Sequence, residues 1–120
     1  MTSVGVKSLI VWQKSMDFAV AMYQATESFP KSEQYGLTSQ LRRAAYSPPS
    51  NIAEGYGRHS WADQDRFHEI ADGSLAECET FLILSHRLGY FTTEKFEELE
   101  QKRAEVARLL NGFRRRPRST

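Results

Sequence analysis

Three polar side chains in the middle of the chain have the types and the spacing for a shared site. Asn51, Glu54 and Arg58 are three and four residues apart, which places them on one face of a helix. One carboxylate without a second acid or a base gives no complete mechanism for acid–base catalysis. We therefore interpret Asn51, Glu54 and Arg58 as a structural polar network that fixes helix packing, and we expect the protein not to be an enzyme.

The other residues capable of chemistry do not form a recognisable site. His59, His68 and His86 are dispersed, and the paired Glu and Glu-x-x-His ligands of metal sites in helical bundles are absent. Cys78 lies among apolar residues, where a small buried side chain is the expected role. The sequence has no P-loop, dinucleotide-binding glycine pattern or nucleophile elbow. We expect no catalytic residue, no metal and no cofactor.

Charge is segregated along the chain. Residues 61–100 carry three Lys/Arg against ten Asp/Glu, whereas residues 101–120 carry seven against one. Such asymmetry indicates a nucleic-acid-binding arm or complementary faces within an oligomer. The candidate nucleic-acid-binding residues are eight of the cations outside the acidic segment, namely Lys14, Arg42, Arg43, Arg58, Arg114, Arg115, Arg116 and Arg118.

Four segments must position these side chains. In each, apolar residues recur every three or four positions, which predicts an amphipathic helix, and no segment has the alternation of a strand. The predicted helices begin near Leu9, Gly36, Ser60 and Thr92 or Thr93. Short connections favour antiparallel neighbours, so we predict an all-α, up-down-up-down four-helix bundle over residues 1–113 and a basic flexible C-terminal tail over residues 114–120.

Two features inside the predicted helices need a structural explanation. Pro48 and Pro49 leave the carbonyls of Ala44 and Ala45 without their usual donors, so the second helix is expected to kink or break there. The sequence leaves open a loop between two short helices and one bent helix. In the third helix, Gly73 and Ser74 suggest a close helix crossing, because glycine inside a helix costs about 1 kcal/mol relative to alanine unless another backbone approaches closely.

Several motifs resemble a known family over most of the chain, from Val11 to about Tyr90. The most specific are Arg42-Arg43-Ala44-Ala45 and Asn51-Ile52-Ala53-Glu54-Gly55. They resemble the bacterial four-helix-bundle proteins first noticed in intervening sequences of 23S ribosomal RNA genes. The resemblance implies a second helix that passes through the proline position, and ring-like homo-oligomers, most often pentamers. Pro48 departs from the aliphatic residue that the family usually has before its proline.

The resemblance implies less about activity than about fold. The family's biochemical role is largely unassigned, although related accessory proteins of diversity-generating retroelements work beside a reverse transcriptase and its RNA. We expect a homo-oligomer, with a pentamer implied by the resemblance, that binds RNA or DNA as an accessory factor. The alternative is an oligomeric protein-interaction scaffold that binds no nucleic acid.

Location is predicted from what the sequence lacks. A single cysteine is typical of a reducing compartment, and no segment has the pattern of a signal peptide or the apolar length of a bilayer span. We therefore expect a cytoplasmic protein without a membrane partner.

Overall fold

The computed structural model describes residues 5–116, and this part of the chain is entirely helical. Its long helices are α1 (Ile10–Ala25), α2 (Leu37–Tyr56), α3 (Trp61–Arg87) and α4 (Thr93–Arg114), with short 3-10 turns at Val6–Ser8, Thr26–Ser28 and Lys31–Glu33. None of the described helices combines the length and the apolar character needed to cross a membrane. The predicted all-α class is confirmed.

The four helices form a bundle with extents of 49 × 24 × 22 Å. α1 and α3 each pack against α2 and α4. Arg114 at the end of α4 contacts Asp65 near the start of α3. At the opposite end, Tyr90 after α3 donates a hydrogen bond of 2.9 Å to Glu33, just before α2. Neighbouring helices are therefore antiparallel, as predicted.

Each helix contributes apolar side chains to one continuous core. Within each helix, the largest buried apolar residues are four, seven or eleven positions apart. Each of these separations returns to nearly the same side of a helix. Burying each such side chain contributes about 1.5–3 kcal/mol relative to leaving it exposed. The largest buried apolar residues are Phe18, Met22, Leu41, Ile52, Leu75, Leu82, Leu99, Val106 and Leu110.

α2 is one continuous helix through Pro48 and Pro49. A loop at this position, one of the two alternatives from the sequence, is therefore wrong, while the kink stays a prediction. Both prolines are buried, so apolar burial offsets part of the cost of the missing backbone donors. Asn51 adds a local contact, because its Nδ2 donates to the carbonyl of Ser47 at 2.9 Å.

Caps place the ends of α3 and α4 where the sequence predicted them. The Ser60 hydroxyl accepts a hydrogen bond of 3.1 Å from the backbone N–H of Asp63, and Thr92 caps α4 in the same way. Gly89 has a φ of +80° and follows the C-cap of α3, a conformation that glycine adopts without a Cβ penalty. α4 continues to Arg114, one residue beyond the predicted boundary of the bundle.

The close approach of two backbones occurs at Gly55 and not at Gly73. A Cβ at Gly55 would lie 2.9 Å from the carbonyl oxygen of Gln64 and 3.1 Å from the Cβ of Phe67, whereas one at Gly73 would meet nothing within 4 Å. The expectation for Gly73 was wrong because this residue is on the exposed side of α3. Gly55 instead allows the end of α2 to pack on the start of α3.

Candidate nucleic-acid interface

The predicted nucleic-acid-binding residues do not form one continuous surface. Arg42 and Arg43 lie in the second turn of α2, at the end of the bundle that also holds the α3–α4 connection. Arg58 and Arg114 lie at the opposite end, where α2 and α4 finish and α3 begins. Lys14 is in α1, 3.8 Å from Glu105 of α4. Arg118 lies outside the described residues.

Arg58 is held by acidic and aromatic neighbours. Its Nη2 donates to Glu54 at 2.6 Å, and its Nε is 4.0 Å from Asp63. The guanidinium also lies over the ring of Phe67, 4.8 Å from the centroid. Two carboxylates therefore compensate its charge before any phosphate approaches.

Arg114 is similarly occupied within the bundle. Its Nε and Nη2 donate to the two carboxylate oxygens of Asp65 at 2.8 and 3.0 Å. This hydrogen bonding raises the pKa of Arg114 above its ordinary value. Arg116 packs over Phe113 and donates to its carbonyl at 2.8 Å, whereas Arg115 is exposed. Of the predicted tail residues that the structure describes, Arg115 is thus the most accessible to a phosphate.

Arg42 and Arg43 have different surroundings although they are adjacent. Arg42 donates from Nε to the Thr26 hydroxyl at 2.8 Å and from Nη2 to the Tyr23 carbonyl at 3.1 Å, which satisfies acceptors at the end of α1. Its guanidinium lies 4.6 Å from the centroid of the Tyr23 ring. Arg43 is exposed and makes no hydrogen bond or ion pair with the residues that the structure describes. No carboxylate in residues 5–116 pairs with either arginine.

The predicted network of Asn51, Glu54 and Arg58 is divided into two parts. Glu54 and Arg58 form the ion pair described above, but Asn51 donates to the hydroxyl and the carbonyl of Ser47 instead. The Ser47 hydroxyl is 2.7 Å from that of Ser74, so this part joins α2 to α3. The Ser47–Ser74 contact was not predictable, because nothing along the chain indicates which small residues face each other across two helices.

His68 is a buried residue whose environment the sequence did not reveal. Its imidazole is 1% exposed and packs edge-on against Trp61 and Phe113, with Nδ1 3.7 Å from Asp65. Burial lowers the pKa of His68 below its ordinary value of 6.5, although the Asp65 carboxylate opposes this effect. The imidazole is thus a packing residue in its neutral form.

The side chains of Cys78 and Arg103 are enclosed by the packed helices. Burial raises the pKa of the Cys78 thiol to about 12, so little thiolate exists at neutral pH. Arg103 of α4 is nearly buried and donates two hydrogen bonds to Glu100, at 2.8 and 2.7 Å, while its Nη2 lies 3.4 Å from Glu79 of α3. Across residues 5–116, no group of three His, Cys, Asp or Glu side chains is arranged to hold a metal ion.

Among the exposed apolar surfaces of residues 5–116, two lie on neighbouring parts of the bundle and could meet between copies. The first, here called the α1–α2 groove, has a volume of about 520 Å³ and is lined mainly by Trp12, Met16, Val20, Tyr23, Tyr46 and Pro49. The second, the α3 stripe, consists of the exposed residues Ile70 and Leu84 of α3 and Leu88 at its C-cap. Separations of fourteen and four residues return a helix to within about 40° of the same direction, so these three share one side of α3. Exposed apolar surfaces of this kind commonly mark interfaces.

Comparison with known proteins places this arrangement in a family. The sequence model of the family described as 23S rRNA-intervening sequence protein matches residues 7–112. The chain belongs to this family. A crystal structure of a protein of unknown function from the S23 ribosomal protein family of Bacteroides thetaiotaomicron is 27% identical, with a TM-score of 0.80 over 89% of this chain and 100% of the other. No curated protein matches significantly. The resemblance seen in the sequence is thereby confirmed, and the fold of the family extends over all four helices.

Proposed function

We propose that this chain is a homo-oligomeric accessory protein that binds RNA and catalyses no reaction. The observation that supports RNA binding best is the exposed Arg43, which no carboxylate of the described chain compensates, beside Arg42 and the exposed ring of Tyr46. Cations that contact phosphates and aromatic rings that stack on bases are the usual combination in proteins that bind single-stranded nucleic acid. The family membership is consistent with an RNA-related role but assigns none.

Self-association is proposed to bring together the part of the α1–α2 groove formed by Trp12, Met16 and Val20 of one copy and the α3 stripe of the next, which leaves Tyr23 and Tyr46, where the groove borders the polar pocket, open to RNA. Two different apolar surfaces that meet head-to-tail generate a ring if the rotation closes. The pentameric number comes from the resemblance. A ring would repeat weak phosphate contacts in every copy and so raise the overall affinity.

A cytoplasmic location completes the proposal. The single cysteine, Cys78, is buried and cannot form a disulfide within the chain, as suits a reducing compartment.

Titration of fluorescent RNA at several salt concentrations tests the function. We expect affinity to fall steeply as salt rises, because bound phosphates release counterions. Neutralising Arg115 and Arg118 together should flatten the slope if the C-terminal arginines contribute. Substitution is preferable to deletion of residues 114–118, since deletion would also remove the pair between Arg114 and Asp65. An RNA affinity that cannot be measured even at low salt would refute the proposal.

The oligomer is tested by light scattering after size exclusion. Val20→Glu places a charge in the α1–α2 groove, where the side chain is 51% exposed, so it should reduce the mass without unfolding the monomer. Ile83→Glu is the matched control, because Ile83 is 40% exposed and lies outside both apolar surfaces. A monomer mass for the unmodified chain at micromolar concentration would contradict self-association.

A second candidate is an oligomeric protein-interaction scaffold. The acidic exposed side of α3 favours it, because such a surface repels phosphates and suits a basic protein partner. Persistence of the oligomer together with absence of RNA binding would support the scaffold. The two functions therefore give opposite results in the same RNA titration.

A further inference from the structure

A second, polar pocket adjoins the α1–α2 groove at the end of α1. It has a volume of about 340 Å³ and is lined by Tyr23, Thr38, Ser39, Arg42, Arg43 and Tyr46, with Gln34 at its edge. None of these residues carries a carboxylate, which distinguishes this pocket from the surroundings of Arg58 and Arg114. Tyr23 and Tyr46 also line the α1–α2 groove, so the polar pocket and the apolar groove adjoin at these two side chains.

The arginines of the pocket provide donors in two ways. Arg42 is held in position by Thr26 and by the backbone and ring of Tyr23. A guanidinium has five N–H donors, and Arg42 uses only two of them in these hydrogen bonds. Arg43 has no hydrogen bond or ion pair with residues 5–116 and can turn toward a ligand. Together they provide a fixed and an adaptable cation.

Thr38 and Ser39 add neutral donors. They are in the first turn of α2, where backbone N–H groups have no acceptor within the helix; the N–H of Leu37 in this turn already donates to the Glu33 carboxylate at 3.1 Å, so the hydroxyls of Thr38 and Ser39 are the donors that remain for a ligand. The Thr38 hydroxyl oxygen is buried without any hydrogen-bond partner in the described structure. A buried hydroxyl without a partner is unfavourable, and rotation of the Thr38 side chain toward the pocket would let a phosphate oxygen supply the missing acceptor.

The rings beside the pocket restrict the kind of nucleic acid. Tyr46 is 47% exposed and Tyr23 is 40% exposed, and both stand where the polar pocket meets the apolar groove. A base could stack there only if it is turned out of a helix, since paired bases are covered within a duplex. We propose that this pocket, here called the α1–α2 phosphate pocket, binds a phosphodiester of single-stranded RNA with a flanking base stacked on Tyr46. This inference rests on the proposed function and gives its binding site.

The first experiment maps the pocket with inorganic phosphate and then with a short oligouridine, by backbone amide NMR of the full chain. Saturable shifts of the Thr38 and Ser39 amides with both ligands are expected. Shifts confined to the opposite end of the bundle, near Arg115, would overturn the assignment. Shifts with inorganic phosphate but no binding of oligouridine would overturn both the RNA assignment and the proposed function.

The second experiment measures oligouridine affinity by fluorescence anisotropy. Arg43→Gln should weaken binding and lower the salt slope by about 0.7, the value for one phosphate contact on a single strand. Tyr46→Ala should weaken binding about tenfold through lost stacking. Arg87→Gln is the matched control, because Arg87 is exposed at the same end of the bundle and contacts no partner within residues 5–116. A duplex of the same length should bind more weakly than the single strand.

Thr38→Val separates ligand binding from a structural role. Valine has nearly the same shape but no hydroxyl, so affinity should fall about tenfold while the thermal midpoint stays unchanged or rises. A lower midpoint with unchanged affinity would overturn the role of Thr38. RNA binding that is equally strong in Arg43→Gln, Tyr46→Ala and Thr38→Val would overturn the pocket and leave the proposed function intact.

Discussion

Arg114 donates two hydrogen bonds to Asp65, with Nε to Oδ1 at 2.8 Å and Nη2 to Oδ2 at 3.0 Å. This pair links the last residue of α4 to the first turns of α3. Arg114 is the first arginine of the basic C-terminal segment. Because Asp65 holds it against α3, it is not available to a ligand unless this contact breaks.

Substitution of this arginine tests that structural role. Arg114→Gln should lower the free energy of unfolding by about 0.5–1.5 kcal/mol, a value kept small because both side chains are partly exposed. Urea denaturation measures the effect, with Arg115→Gln as the control for loss of charge alone. Equal stability of the two variants would contradict a specific contribution of the pair.

Gly55 is the second test, because it controls how closely α2 approaches α3. In Gly55→Ala the new Cβ would lie 2.9 Å from the carbonyl oxygen of Gln64 and 3.3 Å from Nε2 of His68. The backbone must shift, so we expect the free energy of unfolding to fall by about 1–3 kcal/mol. Gly112→Ala is a matched control, since a Cβ at Gly112 meets nothing within 4 Å. If Gly55→Ala proves as stable as the original chain, α2 and α3 approach each other less tightly than the distance of 2.9 Å indicates.

Gly73 tests the proposed oligomer. In the isolated chain Gly73→Ala should raise the free energy of unfolding by about 0.5–1 kcal/mol, because alanine is the better helix former and the site is open. If a second copy packs on this side of α3, the same variant should also reduce the mass seen by light scattering. Gly112→Ala should stabilise the helix similarly without changing assembly. Identical masses for both variants would argue against an interface at Gly73.

His68 makes stability depend on pH. Burial lowers the pKa of His68 from 6.5, with Asp65 opposing the shift and the Arg114 and Arg116 charges adding to it. Above pH 6.5 the imidazole is neutral in both states. Below it the unfolded chain binds a proton that the folded chain resists, so the free energy of unfolding falls by up to about 1.4 kcal/mol per pH unit until the folded pKa is reached.

Denaturant unfolding between about pH 7.5 and pH 5.5 measures this dependence. His68→Leu should lose it, and the exposed residue His59, replaced by Gln, provides the comparison for removal of a histidine from the surface. The informative quantity is the difference between variant and unmodified chain at each pH, because the carboxylates titrate in both. A pH dependence that survives in His68→Leu would assign the effect to other groups.

Helix positions could be predicted from the sequence because they depend on local patterns. The apolar spacing, the Ser60 and Thr92 caps and Gly89 are read along the chain, and each acts within one or two turns. The passage of α2 through Pro48 was only partly predictable. Whether the helix continues there depends on how fully the rest of the bundle buries the two proline rings.

The candidate site was less predictable, since it depends on which charges meet. The sequence identified Arg42 and Arg43, but their difference arises from Thr26 and Tyr23, sixteen and nineteen residues away from Arg42. Likewise, no local signal shows that Arg114 reaches Asp65 across forty-nine residues. Thr38 was missed because a hydroxyl without a partner can be recognised only once its neighbours are known.

The sequence by itself determined the class and the number of the helices and where each of them begins, since periodicity, caps and breakers act over a few residues. Tertiary structure alone decided which glycine allows two helices to touch, which arginines remain available and where the polar pocket opens beside Tyr46. The physical reason is that charge compensation and close packing depend on distances between side chains far apart in the chain. The folded bundle sets those distances.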